Sequence, residues 1–249
     1  MKEVFFGPVA RPFYFMPNLN VARIVVASVL GLVLVVFSLI KNTKIKSFIS
    51  ARFIARSGVF AAISIILYVI PIFNINVPIF PSFLNFHFDE VPAFIAGFAY
   101  GPWSAVLVIV LKTIAKIPFS STLCVGELTD LIYSIAFVLP AAIIYKKKKT
   151  FKRVLVSFGI ATAFQLIISS VLSVTVTLPF YEFVMGFKAE DILFLCQQAN
   201  PNVSSLGWPY ILMIILPFNA IKDVLVVIIT VVLYKRLHKI IDKIGAQKN

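Results

Sequence analysis

Long apolar stretches punctuated by clusters of lysine and arginine set the first limit on what this chain can fold into. An α-helix needs about 20 apolar residues to cross the hydrocarbon core of a bilayer. Runs of this kind extend from Ile24 to Ile40, Phe53 to Phe73, Trp103 to Ile117, Val125 to Tyr145, Val154 to Pro179 and Trp208 to Tyr234. A shorter one, Val91 to Ala99, is separated from its successor by Tyr100-Gly101-Pro102. The chain of 249 residues is 60% hydrophobic and 13% charged. A soluble domain carries about a quarter charged residues, so lipid must be the solvent for much of this surface. The expected fold is all-α: a polytopic membrane helix bundle.

The basic residues give the spans a direction. Lys41, Lys44, Lys46, Arg52 and Arg56 form one block; Lys146, Lys147, Lys148, Lys149, Lys152 and Arg153 a second; Lys235, Arg236, Lys239, Lys243 and Lys248 a third. Cytoplasmic loops are enriched in Lys and Arg. With all three blocks inside, residues 74–88, which hold no Lys or Arg, lie outside, as does the segment 181–207 with Glu182, Glu190 and Asp191. The C-terminus is then cytoplasmic. The net charge of +13 is thus explained by topology, and no nucleic-acid partner is expected, since base-reading side chains on a polar surface are missing. The first run sits apart: with Lys41 inside, Lys2, Arg11 and Arg23 fall outside, and no small-residue cleavage site follows the apolar core. We therefore expect an N-terminal segment, 1–46, carrying an extra transmembrane helix, and a six-helix membrane domain, 47–249.

Ionisable residues inside a membrane normally face a cavity or a partner. Asp89 and Glu90 open the third run, where a helix N-terminus favours anions. Lys112 lies deeper in the fourth run than Lys116, and Glu127 with Asp130 share one face of the fifth. A Lys112–Glu127 or a Lys112–Asp130 pair is open. In the last run, PFNAIKD (217–223), Asn219 and Lys222 project from the same helical face. Asn offers a donor and an acceptor, Lys donors and a charge. Such a pair can read the edge of a heteroaromatic ring bearing carbonyls, or it can be an interhelical clamp with Lys222 neutralised by an acid on another helix.

Small residues recur at helical spacing as Ala51/Ala55, Gly58/Ala62, Ala93/Gly97 and Gly97/Gly101, which lets helices approach closely in lipid. Internal packing is the ordinary reading; the first set, beside a basic cytoplasmic segment, can instead serve a partner protein. The sequence holds no phosphate-binding GxxxxGK[ST] loop, HExxH or GxSxG. With two histidines, His87 and His238, neither a metal nor a cofactor is expected. Cys124 and Cys196 have no metal-ligand spacing; both would lie outside, so a bridge and two ordinary thiols are both conceivable.

The stretch FPSFLNFHFDEVPAFIAGFAYGP (80–102) resembles the first outer loop and second helix of S components, the substrate-binding subunits of energy-coupling factor (ECF) vitamin transporters. Lys112, VGEL (125–128) and FVLP (137–140) continue the resemblance in order, and PFNAIK (217–222) is similar to the riboflavin-specific, RibU-type S components. It covers roughly residues 51 to 240. The resemblance implies a six-helix binding protein in the bacterial cell membrane that captures riboflavin as a transported ligand, not an enzyme. It implies partners in a transmembrane coupling protein and two cytoplasmic ATPases. Asn219 and Lys222 match positions that bond the flavin ring; Gly126 and Glu127 match a pocket-lining turn; Leu84 and Asn85 fall in the gating loop. Lys112 and Ser173 belong to the same expected substrate-binding set, and Ala51, Ala55, Gly58 and Ala62 match the coupling-protein contact.

Ser173, Thr113 and Asp130 stand where the family often has Asn, and His87 and Glu90 depart from a usual Asp-Phe-Ser-Asp stretch. Loss of a polar partner in such a pocket costs about 1–3 kcal/mol, so the departures bear on which ring edge is read. The alternatives are an S component for another vitamin or precursor, an intramembrane enzyme using Asp89/Glu90 or Glu127/Asp130, and a purely structural membrane protein.

Overall fold

A computed structural model describes residues 50–147 and 150–246, with side chains placed to residue 236. The expected N-terminal span, Ile24 to Ile40, and the domain boundary at 46/47 lie outside the described residues, as do Lys148, Lys149 and the side chains of His238, Lys239, Lys243 and Lys248.

Helix α1 is Ala51–Val69, started by Ser50, whose hydroxyl accepts the Phe53 N–H at 3.2 Å. Helix α2, Glu90–Tyr100, follows the loop that contains residues 74–88. Gly101, at φ +102, makes the turn, and Pro102 opens α3, Pro102–Lys116. The ring of Pro102 fits the first helical position and Gly101 supplies a backbone conformation closed to other residues. Helix α4 is Val125–Lys147. Helix α5, Phe151–Phe183, contains a π-helical turn at Ser173–Thr177. Helix α6, Ala189–Ala199, is short. Helix α7 starts as Trp208–Tyr210, passes through a second π turn at Ile211–Ile215, and continues as Leu216–Ala246. Among the described residues the only β pairing is one isolated antiparallel bridge, Ile75 with Phe86.

Five of these helices, α1, α3, α4, α5 and α7, are long and apolar enough to cross a membrane. They supply the expected polytopic bundle. Helix α2 differs. Its 11 residues rise about 16 Å, roughly half of a hydrocarbon layer, and Val91 through Phe98 are all buried. It is a core helix that stops short, and the segment 70–89 occupies the height it leaves.

The small residues explain how the helices meet. A Cβ on Gly97 would stand 3.1 Å from the Cβ atoms of Ala105 on α3 and Ala142 on α4, so α2 approaches both neighbours at backbone distance. Serine hydroxyls tie α1 to the same group: Ser57 and Ser104 of α3 lie 2.7 Å apart, and Ser64 donates to the carbonyl of Asp89, just before α2, at 2.6 Å. Ala51, Ala55 and Ala62 are exposed, and a Cβ on Gly58 would meet nothing within 4 Å. The two stripes of small residues therefore part company, one inside and one on the surface.

Eight of the described basic residues collect at one end. Arg52 and Arg56 start α1, Lys146 and Lys147 end α4, Lys152 and Arg153 start α5, and Lys235 and Arg236 lie far along α7. The core there is aromatic: Phe94 packs on Phe137 and Phe158, Phe98 on Tyr145, and the Tyr145 and Tyr234 hydroxyls meet at 2.9 Å.

Candidate functional site

At the opposite end the helices part around a cavity of about 390 Å³. Helices α1, α4, α5 and α7 each contribute the end away from the basic clusters, and α3 contributes Lys116. Tyr68 comes from the close of α1, Thr129 and Asp130 from the start of α4, Ser173 and Thr177 from the π turn of α5, and Asn219 and Lys222 from early α7. The loop before α2 supplies Leu84, Asn85 and His87. This loop is closed by the Ile75–Phe86 bridge, with both N–H···O distances 2.8 Å. It is pinned to α7 by Phe80 and Phe86 against Phe218, at ring separations of 5.3 and 4.6 Å. One wall of the cavity is thus a folded loop held by three aromatic rings rather than by a helix.

The turn before α4 builds a second wall. Leu123 and Cys124 adopt positive φ, +49° and +69°, a conformation that costs non-glycine residues roughly 1–3 kcal/mol each. The strain is matched by polar bonds: the Ser120 hydroxyl accepts the N–H groups of Thr122 and Cys124, and Thr122 Oγ1 accepts that of Gly126. A Cβ on Gly126 would stand 2.7 Å from Thr122 Oγ1, so a side chain there would displace the Thr122 hydroxyl from the Gly126 N–H. Glu127 accepts from Ser120 at 2.6 Å and from Thr122 at 3.1 Å, which leaves it on the cavity wall and away from Lys112.

Beneath the cavity lies a buried charge network. Lys112, with no exposed surface, donates to Asp89, to Asp130 at 2.9 Å and to Ser134 at 2.9 Å. Its ammonium also lies 4.6 Å from the centre of the Tyr68 ring. Lys222 donates to Glu90 Oε1 at 2.7 Å and stands 3.7 Å from Asp130 Oδ1. His87 Nδ1 is bonded to Asp89, while Nε2 lies 3.3 Å from Lys222 Nζ. Asp89, the residue before α2, makes no side-chain cap bond, because its carboxylate is committed to His87 and Lys112. Breaking a buried pair by removing one partner typically costs 3–5 kcal/mol, so each lysine holds its acids in place. His87, Glu90 and Asp130 bring ligand-type atoms within 4.8 Å of one another, but the Lys222 ammonium already stands among them.

Asn219 is oriented from two sides. Its Nδ2 donates to the Ile215 carbonyl at 2.9 Å, and its Oδ1 accepts from Gln165 Nε2 at 3.0 Å. The Ile215 carbonyl belongs to the π turn, where regular i→i−4 bonding is interrupted. Seven of the eight expected substrate-binding residues, Asn219, Lys222, Gly126, Glu127, Leu84, Asn85 and Ser173, face one cavity. Lys112 does not; it lies behind the wall and neutralises Asp89 and Asp130. Of the two pairings left open for it, the one with Asp130 is present.

Sequence reasoning gave little weight to His87, although it sits in the centre of the network. The available signal was its position two and three residues before Asp89 and Glu90. Gln165 and Tyr68 carried no signal beyond being polar groups in apolar runs. The outer segment contains helix α6, which its mixed composition did not announce. Cys124 and Cys196 are both free thiols; burial pushes Cys196 up to about 12.

The family model for the substrate-specific component of ECF transporters matches residues 52–234. The chain is 31% identical over 182 residues to a protein of Staphylococcus aureus (strain TCH60) named riboflavin transporter RibU, covering 73% of this chain and 89% of that one. It is 28% identical over 188 residues to riboflavin transporter FmnP of Bacillus subtilis (strain 168), covering 74% and 93%. A solved structure of the S component of a bacterial ECF transporter superposes with a TM-score of 0.59 at 26% identity, covering 76% of this chain and 96% of the other.

Proposed function

The chain belongs to the substrate-specific components of ECF transporters, and on that premise we propose that its cavity captures riboflavin at the outer face of the membrane. The observation that carries this is the placement of Asn219 and Lys222 side by side on the wall of a cavity that opens at the end away from the basic residues. Positive charge marks the cytoplasmic side, so the opposite end faces outward and the C-terminus is cytoplasmic.

The chemistry suits a flavin. Its tricyclic ring presents two carbonyls and one ring N–H along a single edge, and its side chain carries hydroxyls. Lys222 and Asn219 supply donors for the carbonyls, and Asp130 supplies an acceptor for the N–H. Tyr68, Tyr133, Tyr181 and Tyr210 give the wall aromatic faces, while Ser173, Thr177 and Glu127 are partners for hydroxyls. A volume of about 390 Å³ falls in the range of small-ligand pockets, roughly 300–1,000 Å³. Names of the two relatives quoted above support the same ligand.

Protein purified without added ligand is expected to be yellow, and ligand-stripped protein to quench riboflavin fluorescence on titration. Colourless protein that leaves the fluorescence unchanged at excess riboflavin overturns the assignment. FMN is the comparison ligand, because Lys116 on the wall is the group positioned to meet a phosphate.

The chain has no phosphate-binding loop, so the energy for import comes from separate subunits, a coupling protein with two ATPases. Exposed Ala51, Ala55 and Ala62 with Gly58 give α1 a flat surface on which a partner helix can pack closely. Gly58→Leu is expected to leave flavin binding intact and to abolish copurification with the coupling protein.

A further inference from the structure

The ring of His87 is held in one orientation. Nδ1 faces Asp89 Oδ1 and lies 3.8 Å from Glu90 Oε2; Nε2 lies 3.5 Å from Asp130 Oδ1 and 3.3 Å from Lys222 Nζ. One ring face rests on Tyr68 of α1, at 5.1 Å between centres. From α3, Lys112 reaches the ring only through Asp89, and Lys116 lies across Tyr68. His87 side-chain exposure is 12%, and that exposure is to the cavity.

An ionised carboxylate only accepts hydrogen bonds, so Nδ1 carries the hydrogen that Asp89 receives. The variable position is then Nε2. In the neutral ring its lone pair accepts from the Lys222 ammonium. Of the three ammonium hydrogens one goes to Glu90 Oε1 and one to Nε2, and the third is left for the cavity. When the ring takes a second proton, Nε2 has no lone pair. It donates to Asp130 instead and stands as a positive charge 3.3 Å from another. Lys222 loses the bond that fixes its direction.

We propose that His87 is the positioning residue for Lys222, aiming its remaining N–H at the bound ligand, and that protonation of His87 weakens capture. The proposal rests on the vitamin reading of the cavity. Asp89, Glu90 and Asp130 carry three negative charges against the two positive charges of Lys112 and Lys222. The second proton on His87 therefore balances the network while breaking the geometry of the ligand contact.

The test is riboflavin titration of detergent-purified, ligand-stripped protein, followed by flavin fluorescence between about pH 5 and pH 8. Wild-type affinity is expected to fall about tenfold from the upper to the lower pH, the scale of one misaligned hydrogen bond to a charged group. His87→Ala binds weakly and without pH dependence. His87→Gln, whose amide oxygen accepts from Lys222 and cannot titrate, recovers affinity over His87→Ala and keeps it flat. Thermal unfolding of the apo variants checks that both fold; Asp89 retains Lys112 in each. Wild-type protein that binds riboflavin equally at all pH values, or a His87→Ala variant that keeps the wild-type pH dependence, overturns the role of His87 alone. Failure of wild-type protein to bind riboflavin at any pH overturns the vitamin assignment and this role with it.

Discussion

At the basic end of the bundle, Phe94, Phe98, Phe137, Tyr145, Phe158 and Tyr234 interlock through edge-to-face and tilted contacts, and Gly97 lets α2 touch two helices at once. At the cavity end, the same helices are joined by three buried acids, two buried lysines and a histidine, with a π turn in each of α5 and α7. Some polar atoms stay unmatched there: Glu90 Oε2 and Gln165 Oε1 have no hydrogen-bond partner. Close packing costs no desolvation of charge, and it tolerates no change of shape. A buried ionic network is weak evidence for stability, but its members can exchange partners. The comparison teaches where rigidity and adaptability have been placed: the packed end holds the helices, and the charged end holds groups that can exchange partners.

The most severe way to break this division is Lys222→Ala. It leaves Glu90 without its cation and removes a donor from the cavity. Riboflavin affinity is expected to fall by about tenfold to a hundredfold, the scale of losing a hydrogen bond from a charged donor (about 1.5–3 kcal/mol), as measured by fluorescence titration, and orphaning Glu90 should also lower stability by about 3–5 kcal/mol. Unchanged affinity would show that the cavity wall has been assigned wrongly. At the other end, Gly97→Val should lower stability by about 1–3 kcal/mol through overpacking, visible as a lower thermal midpoint, with flavin affinity of the folded fraction retained. Loss of affinity with no loss of stability would dissolve the distinction between the ends. Tyr145→Phe removes one partner of the Tyr145–Tyr234 contact and should cost about 1 kcal/mol in the same assay.

The smallest effect sharpens the contrast in accessibility. The Cys196 thiol, raised to about 12 by burial, holds a negligible thiolate fraction at neutral pH, and thiolate is the reactive form. Maleimide at pH 7 should modify the native protein at half-buried Cys124 and spare Cys196 until it unfolds. Mass spectrometry of the labelled peptides reads the result.

Much of this was legible in the chain itself. Run length marked the five long helices, and the basic blocks marked the end at which their charges gather, because hydrophobic span and loop charge are local properties. Ser50, Gly101 and Pro102 mark helix ends for reasons that need no tertiary context. The pairing of Lys222 with Glu90 joins residues 132 apart and depends on how α2 and α7 pack, which no periodicity encodes. Lys112 illustrates the limit: its depth indicated an internal partner, yet whether it faced the ligand or the acids depended on rotation of α3 about its axis. His87 stood out only as a departure from the family stretch, because one histidine in a loop has no pattern, and its place in the network arises only once four helices converge on it.

The π turns bear on how this protein can change by mutation. A π turn is an α-helix with one residue too many, and removing that residue restores regular winding. The wider winding of that one turn absorbs the extra residue, so the helix on either side keeps nearly its phase. Deleting one residue from Ser173–Thr177 or from Ile211–Ile215 would therefore close the local widening, and in the second case alter the Ile215 carbonyl that orients Asn219, while the basic end stays as it is. Changes of length at these two turns act on one stretch of cavity wall at a time.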